Sequence, residues 1–401
     1  SDADPARSYE IFIARHGRLI PSGTVAGIKM LRNRTRLALL VVLALLVPLL
    51  VRSEDWPMWR GNPEQTGWRQ VELAPPLKQI WRVKLGDSIE AAAVIVKDTV
   101  YVSCLDEHLY ALSLSDGVAR WKYAAKSPIK APPAWHDGIV YIGDMQGTLH
   151  ALDGATGKAV WTFKTEAEII AGASFWKNRV IVGSYDEHLY CLDAKTGKEI
   201  WKLKTEGPVN ATAAIAEGHA ILGGCDSRLH VVDLATGKEL RSLDLGGQVG
   251  GSPAIVGNVL FVGNMDKTFL AVDWKRGQVL WQFEPERAFP FYASPAVRDD
   301  LVVVGCRDRA VYGLDARTGK LRWRTATRGK VDSSPIIAGK YVYVGSADGN
   351  LYALELASGQ RLWSAPLGAP ITASPALADG RLVIGTQDGL LYCFGKQPES
   401  P

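Results

Sequence analysis

Cysteine pairing is the first thing this 401-residue chain lacks. Its five cysteines, Cys104, Cys191, Cys225, Cys306 and Cys393, include no C-x-x-C and no adjacent pair, which removes zinc-ribbon and thioredoxin-like readings. Charge of one sign is missing as well. Forty-six Lys and Arg against 42 Asp and Glu leave +4, and much of that excess precedes the first apolar run. Nucleic-acid binding needs a clustered basic face, so no nucleic-acid partner is expected. Charged residues make up only 22% of the chain while 47% are hydrophobic, with 40 Gly and 13 Trp. That balance excludes disorder and coiled coil for most of the sequence.

Long apolar runs are absent apart from LALLVVLALLVPLLV at residues 37–51, preceded by Lys29, Arg32, Arg34 and Arg36. Basic then apolar is the order of a secretory signal, and the run is shorter than the ~20 residues of a comfortable membrane span. Residues 37–53 therefore read as a signal peptide or an anchor to the inner membrane, with everything after them exported to the periplasm or another extracytoplasmic space. Residues 1–36 read as a cytoplasmic or mis-started basic extension, with Met30 as the alternative start. No Cys follows the apolar run, so a lipoprotein anchor is not available. The membrane is expected to be met only through this segment.

A repeat accounts for the remainder. LYALSLSDGVARW, LHALDGATGKAVW, LYCLDAKTGKEIW, LHVVDLATGKELR, FLAVDWKRGQVLW, VYGLDARTGKLRW and LYALELASGQRLW end at Trp121, Trp161, Trp201, Arg241, Trp281, Trp323 and Trp363, in steps of 40, 40, 40, 40, 42 and 40. Each is preceded by a VYVGS-type run and a small-residue run such as ASPAV. Period-two alternation broken by Gly, Asp and Pro predicts four short antiparallel strands per repeat and no helix. That is a β-propeller blade. The VYVGS-like strand occurs eight times, and the last copy stops after LYCF. KQIWRVKL, with Trp81 placed 40 residues before Trp121, supplies the missing strand. The expected fold is all-β, an eight-bladed propeller closed by an N-terminal strand, with a leader at 54–77, the ring at 78–395 and a tail at 396–401.

The repeated residues carry structural duties. Gly117 and its equivalents at each TGK or SGQ turn call for positive φ. Trp81, Trp121, Trp161, Trp201, Trp281, Trp323 and Trp363 are expected to dock on the neighbouring blade, and Arg241 to leave a looser junction. Asp106, Asp186, Asp226, Asp266, Asp308, Asp348 and Asp388, with Gln146 in the remaining blade, read as turn caps rather than catalysts. Cysteines at equivalent places in separate blades cannot bridge, and the histidines are scattered over different blades. No catalytic residue and no metal ligand set is assigned.

The Ala-x-Asp-x-x-x-Gly-x-x-x-Trp spacing, as in Ala151, Asp153, Gly157 and Trp161, resembles the tryptophan-docking motif of the pyrroloquinoline-quinone (PQQ) repeat. The leader DWPMWRGNPEQTGW resembles the segment that precedes such propellers. Two branches share this architecture: the quinoprotein dehydrogenases, and non-catalytic members that include the B subunit of the outer-membrane β-barrel assembly machinery. The enzyme branch implies PQQ with calcium, a vicinal disulfide and long insertions, none of which has a counterpart in these residues. The scaffold branch implies protein partners in the cell envelope, no cofactor and a monomeric propeller. A small-ligand or carbohydrate sensor stays open as a third reading.

Binding specificity can be written only where the blades differ. The residues just before the innermost strands, Glu90, Lys130, Ile170, Asn210, Gly250, Tyr292, Asp332 and Thr372, are expected to ring one mouth of the channel, where Glu90, Lys130, Asn210, Asp332 and Thr372 are candidates for a polar ligand. The 42-residue step adds RAFPFYASP. Its Phe289, Phe291 and Tyr292 read as exposed aromatics for a protein contact or as a plug of the mouth.

Overall fold

The computed structural model describes residues 55–396. The expected extension at 1–36 with Met30, the signal or anchor at 37–53 and the end of the tail lie outside the described residues. Within them there is no helix. The described residues form eight sheets, each with its blade strands antiparallel, arranged as the blades of one ring, so the fold is the all-β propeller that the period calls for.

Blade 1 shows the plan, with β3 (Val94–Val96) innermost, then β4 (Thr99–Ser103), β5 (His108–Ser113) and β6 (Ala119–Ala124). β4 is buried along its whole length, whereas β6 alternates towards solvent. This follows from position: the second strand has a blade on each side, the fourth faces water. The eighth blade contains Ala376–Ala378, Arg381–Gly385 and Leu390–Gly395 and takes its outer strand from β2 (Lys78–Lys84), with Trp81 opposite Cys393.

Tryptophan docking holds adjacent blades. The Trp161 indole N–H donates to the Ala194 carbonyl at 3.0 Å, and its ring lies on Gly197, where a methyl group would come within 2.6 Å of Cε3. Trp81, Trp121, Trp201, Trp281 and Trp323 repeat the bond to Leu114, Gly154, Leu234, Ala316 and Leu356. Trp363 meets Phe394 edge-on instead, because the last blade has no TGK turn to receive it. At Arg241, which is exposed, the docking indole and its hydrogen bond are missing. Its side chain covers Gly277, and Trp274, almost fully buried, packs between blades 4 and 5 with its indole bonded to the Gly257 carbonyl.

The turn carboxylates cap amides and tie the turn to the inner face. Asp106 accepts from the His108 amide and from the Tyr110 hydroxyl at 2.6 Å. In blade 2 the capping group is Asp144 rather than Gln146; it accepts from the Gln146 and Thr148 amides and pairs with His150 at 2.9 Å. The histidines that replace Tyr thus keep its partner, and His230 pairs with Asp226 at 2.8 Å. All five cysteines are free thiols. Burial pushes Cys104 and Cys191 up to about 11 and Cys306 and Cys393 up to about 12, so they are inert packing residues.

These caps make the ring acid-sensitive. Burial works to raise the Asp144 carboxyl, and the His150 bond with the two amides outweighs it, leaving the group below its ordinary range. Asp106 and Asp348 are lowered in the same way, through Tyr110 and Tyr352. A depressed carboxylate stabilises the fold fully above its unfolded value and stops doing so as pH falls through its folded value. The melting temperature is expected to hold down to about pH 5 and to fall below about pH 4, with Asp144→Asn blunting the drop. A melting temperature flat to about pH 2 would contradict the capping role.

Candidate functional site at the channel mouth

A propeller's innermost strands leave N–H groups facing the channel, and buried N–H groups need acceptors. The chain's own leader supplies them. Its carbonyls accept from the inner strands of six blades: Trp56 from Ile95 through a two-way bridge, Pro57 from Trp135, Pro63 from Ile215, Glu64 from Ile255, Thr66 from Val297 and Gly67 from Ile337, at 2.7 to 2.9 Å. The last of these begins β1 (Trp68–Arg69), a short parallel addition to blade 7. Residues 55–69 therefore wind round the inside of the ring and fill the channel.

Arg60 fixes this plug. Its side chain is 1% exposed and donates to the Pro295 and Ser334 carbonyls, at 3.0 and 3.3 Å, and to that of Pro335. Burial pulls its pKa down to about 9, which still leaves it charged at neutral pH. Arg69 donates to the Asp55 and Gly61 carbonyls and lies 4.8 Å over the Trp56 ring.

Above the plug a cavity of about 310 Å³ opens at the mouth. Glu90, Lys130, Ile170, Asn210, Gly250, Tyr292, Asp332 and Thr372 all line it, together with Trp59, Arg307, Lys330 and Gln387. One position per blade converges because each of these residues follows a buried anchor. Ile89, Ile169, Val209, Val249, Val331 and Ile371 each press on the glycine that ends a VYVG strand; at Gly143 a methyl group would lie 2.1 Å from Ile169 Cγ2.

Phe291 occupies this anchor position in blade 6, fully buried against Gly263 and Phe269. The expectation that it is exposed is therefore corrected: the two extra residues fall before it, and it does the work that Val249 and Val331 do elsewhere. Phe289 and Tyr292 are exposed, at 48% and 38%. Tyr292 faces the mouth, whereas Phe289 lines a separate groove outside it.

Each carboxylate at the mouth is held by basic side chains. Lys130 pairs with Glu90 at 3.1 Å. Arg307 grips Asp332 with two nitrogens, at 2.7 and 3.1 Å, while Lys330 reaches the same carboxylate at 3.0 Å. The Arg307 guanidinium also lies 4.4 Å over the Tyr292 ring, and the bond to Asp332 raises its pKa. Below them runs a belt of hydroxyls in which Thr212, Ser252, Ser294, Ser334 and Ser374 each accept from a backbone amide of the preceding blade.

This donor set does not fit a calcium-held quinone. A hard cation takes several converging oxygens, whereas Glu90 and Asp332 are each engaged by basic side chains. Among the described residues no group of three or more His, Cys, Asp or Glu is placed to hold a metal ion.

Sequence reasoning missed Trp59, Arg307, Lys330 and Gln387. Arg307 and Gln387 share a phase, the residue before the turn carboxylate, which also varies from Leu105 to Met145 to Tyr185. The rule that finds the first mouth ring finds this second one. Trp59 lies outside the repeat and has no phase to read.

A closed eight-bladed propeller with a self-plugged channel and a small polar mouth is the class that fold and site define. The family model described as outer membrane protein assembly factor BamB matches residues 72–175, 146–240 and 186–397, and the chain belongs to that family of PQQ-type repeat propellers. A comparison with the curated proteins finds no match. Solved structures of the same fold include BamB from Moraxella catarrhalis, 22% identical, covering 82% of this chain and 99% of that one with a TM-score of 0.71. They also include quinohemoprotein alcohol dehydrogenase from Comamonas testosteroni, 16% identical, covering 87% and 82% with a TM-score of 0.74. The computationally designed Ika8 protein is 20% identical, covering 79% and 99%, TM-score 0.71. At these identities the likeness concerns fold, and one fold serves unrelated functions.

Proposed function

We propose that this chain is an exported, non-catalytic scaffold of the bacterial cell envelope that meets protein partners with its loop faces. The observation that carries the reading is the plug: the leader fills the channel, and the carboxylates above it are bound to Lys130, Arg307 and Lys330. Membership of the BamB family supports it. The mouth cavity, with Trp59 and Tyr292 beside Asn210 and Thr372, favours a small polar ligand such as a carbohydrate as a second reading, since a concave site mixing aromatic and polar groups suits one.

A titration of the full chain with PQQ and calcium, followed by absorbance and by melting temperature, tests the proposal. No saturable change is expected. Saturable binding with a rise in melting temperature would overturn the scaffold reading in favour of a dehydrogenase.

A further inference from the structure

The one irregular step of the array coincides with a basic groove. Arg287, Phe289, Arg307, Arg309, Arg328 and Lys330 line a groove of about 580 Å³. It shares Arg307 and Lys330 with the mouth cavity, so the two adjoin. Its one acidic lining residue, Asp308, is buried and bound to Tyr312 and Arg324. Arg287, Arg309 and Arg328 are exposed and make no ion pair among the described residues. Glu284 and Glu286 line a neighbouring pocket with Arg287 and Arg309, so the groove has an excess of basic over acidic groups, and like charges in excess repel, which costs stability unless something else compensates.

The repeat does not impose this charge. Arg309 sits in the turn of blade 6 at φ 67, and the Thr327 amide of the following loop donates to its carbonyl. In blade 3 the same place is Glu187, at φ 68, with Thr205 donating to it. Arg328 follows Thr327 as Glu206 follows Thr205. One frame thus carries two arginines in blade 6 and two glutamates in blade 3. The two-residue insertion adds Phe289 beside the arginines, 48% exposed, with its amide bonded to the Arg287 carbonyl at 2.9 Å.

We infer that this groove docks an extended acidic segment of a partner protein, with an apolar side chain of that segment against Phe289 and its carboxylates on Arg287, Arg309 and Arg328. The inference rests on the scaffold reading and names the partner's chemistry. Guanidinium forks match carboxylates in pairs, and complementary charge sets specificity and on-rate. The concave shape and the single exposed aromatic suit a peptide strand. A membrane-binding face presents a broader apolar surface.

The test is fluorescence anisotropy of a labelled ten-residue synthetic peptide alternating Asp or Glu with Leu, titrated with the full chain; a Lys-for-acid version is the control. The acidic peptide is expected to bind saturably, more weakly as salt rises, and the Lys version not to bind. Arg309→Glu with Arg328→Glu, residues the frame already accepts in blade 3, should weaken binding about tenfold or more, as expected for removing desolvated charge partners. Lys198→Glu with Lys238→Glu, an equal charge change in turns between third and fourth strands, should leave it within about twofold.

Equal binding of both peptides, no binding of either, or binding indifferent to the two arginines would overturn the groove assignment. So would binding of phosphatidylglycerol vesicles, but not of the peptide, through these arginines. None of these outcomes touches the scaffold reading, which falls instead on a saturable quinone titration.

Discussion

Deleting Lys78–Lys84 is expected to destroy the single cooperative unfolding transition of the ring. β2 is the outer strand of the last blade, paired from Lys78 opposite Gly395 to Lys84 opposite Leu390 with a one-residue shift between Gln79 and Trp81. It also carries Trp81, 7% exposed, whose indole donates to the Leu114 carbonyl at 2.9 Å and rests on Gly117 of blade 1. One strand therefore holds both the sheet of blade 8 and its seam with blade 1. Its removal leaves Leu390–Gly395 as an open edge, which invites pairing with other chains. Urea unfolding followed by tryptophan fluorescence and by circular dichroism should show non-coincident, broadened transitions, and size-exclusion chromatography should show association. The milder Trp81→Ala should keep the ring closed at a cost of about 3 to 5 kcal/mol, the range for a truncated core tryptophan. A deletion mutant with the parent's midpoint and slope would refute closure by this strand.

How much was legible follows from what the repeat encodes. The period fixes strands, blades, docking tryptophans and the closing strand, because each repeats a physical requirement at a constant phase. The mouth residues from Glu90 to Thr372 were legible for the opposite reason: variation at a fixed phase marks positions that packing leaves free. Phe291 was misread because aromatic composition carries no direction. Its phase, 42 residues after Val249 and 40 before Val331, assigns it to the buried anchors. At the Arg241 junction the burial of Trp274 between blades 4 and 5 was not legible, because that residue comes from a different phase. The path of the leader was not legible at all. The bonds that trace its path round the ring run from backbone to backbone, and such bonds leave no mark on side-chain choice.

Leader side chains also reach the ring, Gln65 to the Thr212 carbonyl and Asp55 to the Lys97 amide, and Arg60 is the one whose replacement should be felt most. Arg60→Met retains most of the apolar stem and removes the guanidinium, leaving the Pro295, Ser334 and Pro335 carbonyls of blades 6 and 7 without that donor. Each buried acceptor left unsatisfied costs about 1 to 3 kcal/mol. Against this stands the desolvation penalty that the charged group no longer incurs. With no carboxylate among the three acceptors there is no stranded counter-charge, so the orphaned carbonyls decide the sign. A net loss of about 3 kcal/mol is expected. The loss should be local first. Hydrogen exchange should quicken at the inner-strand amides that the leader caps, Ile255, Val297 and Ile337 among them, before the outer strands respond. Tryptophan emission should shift to the red as Trp56 and Trp59 gain access to water. Unchanged protection at those three amides would show that the leader stays in place without Arg60, and the channel would then be plugged by its backbone bonds alone.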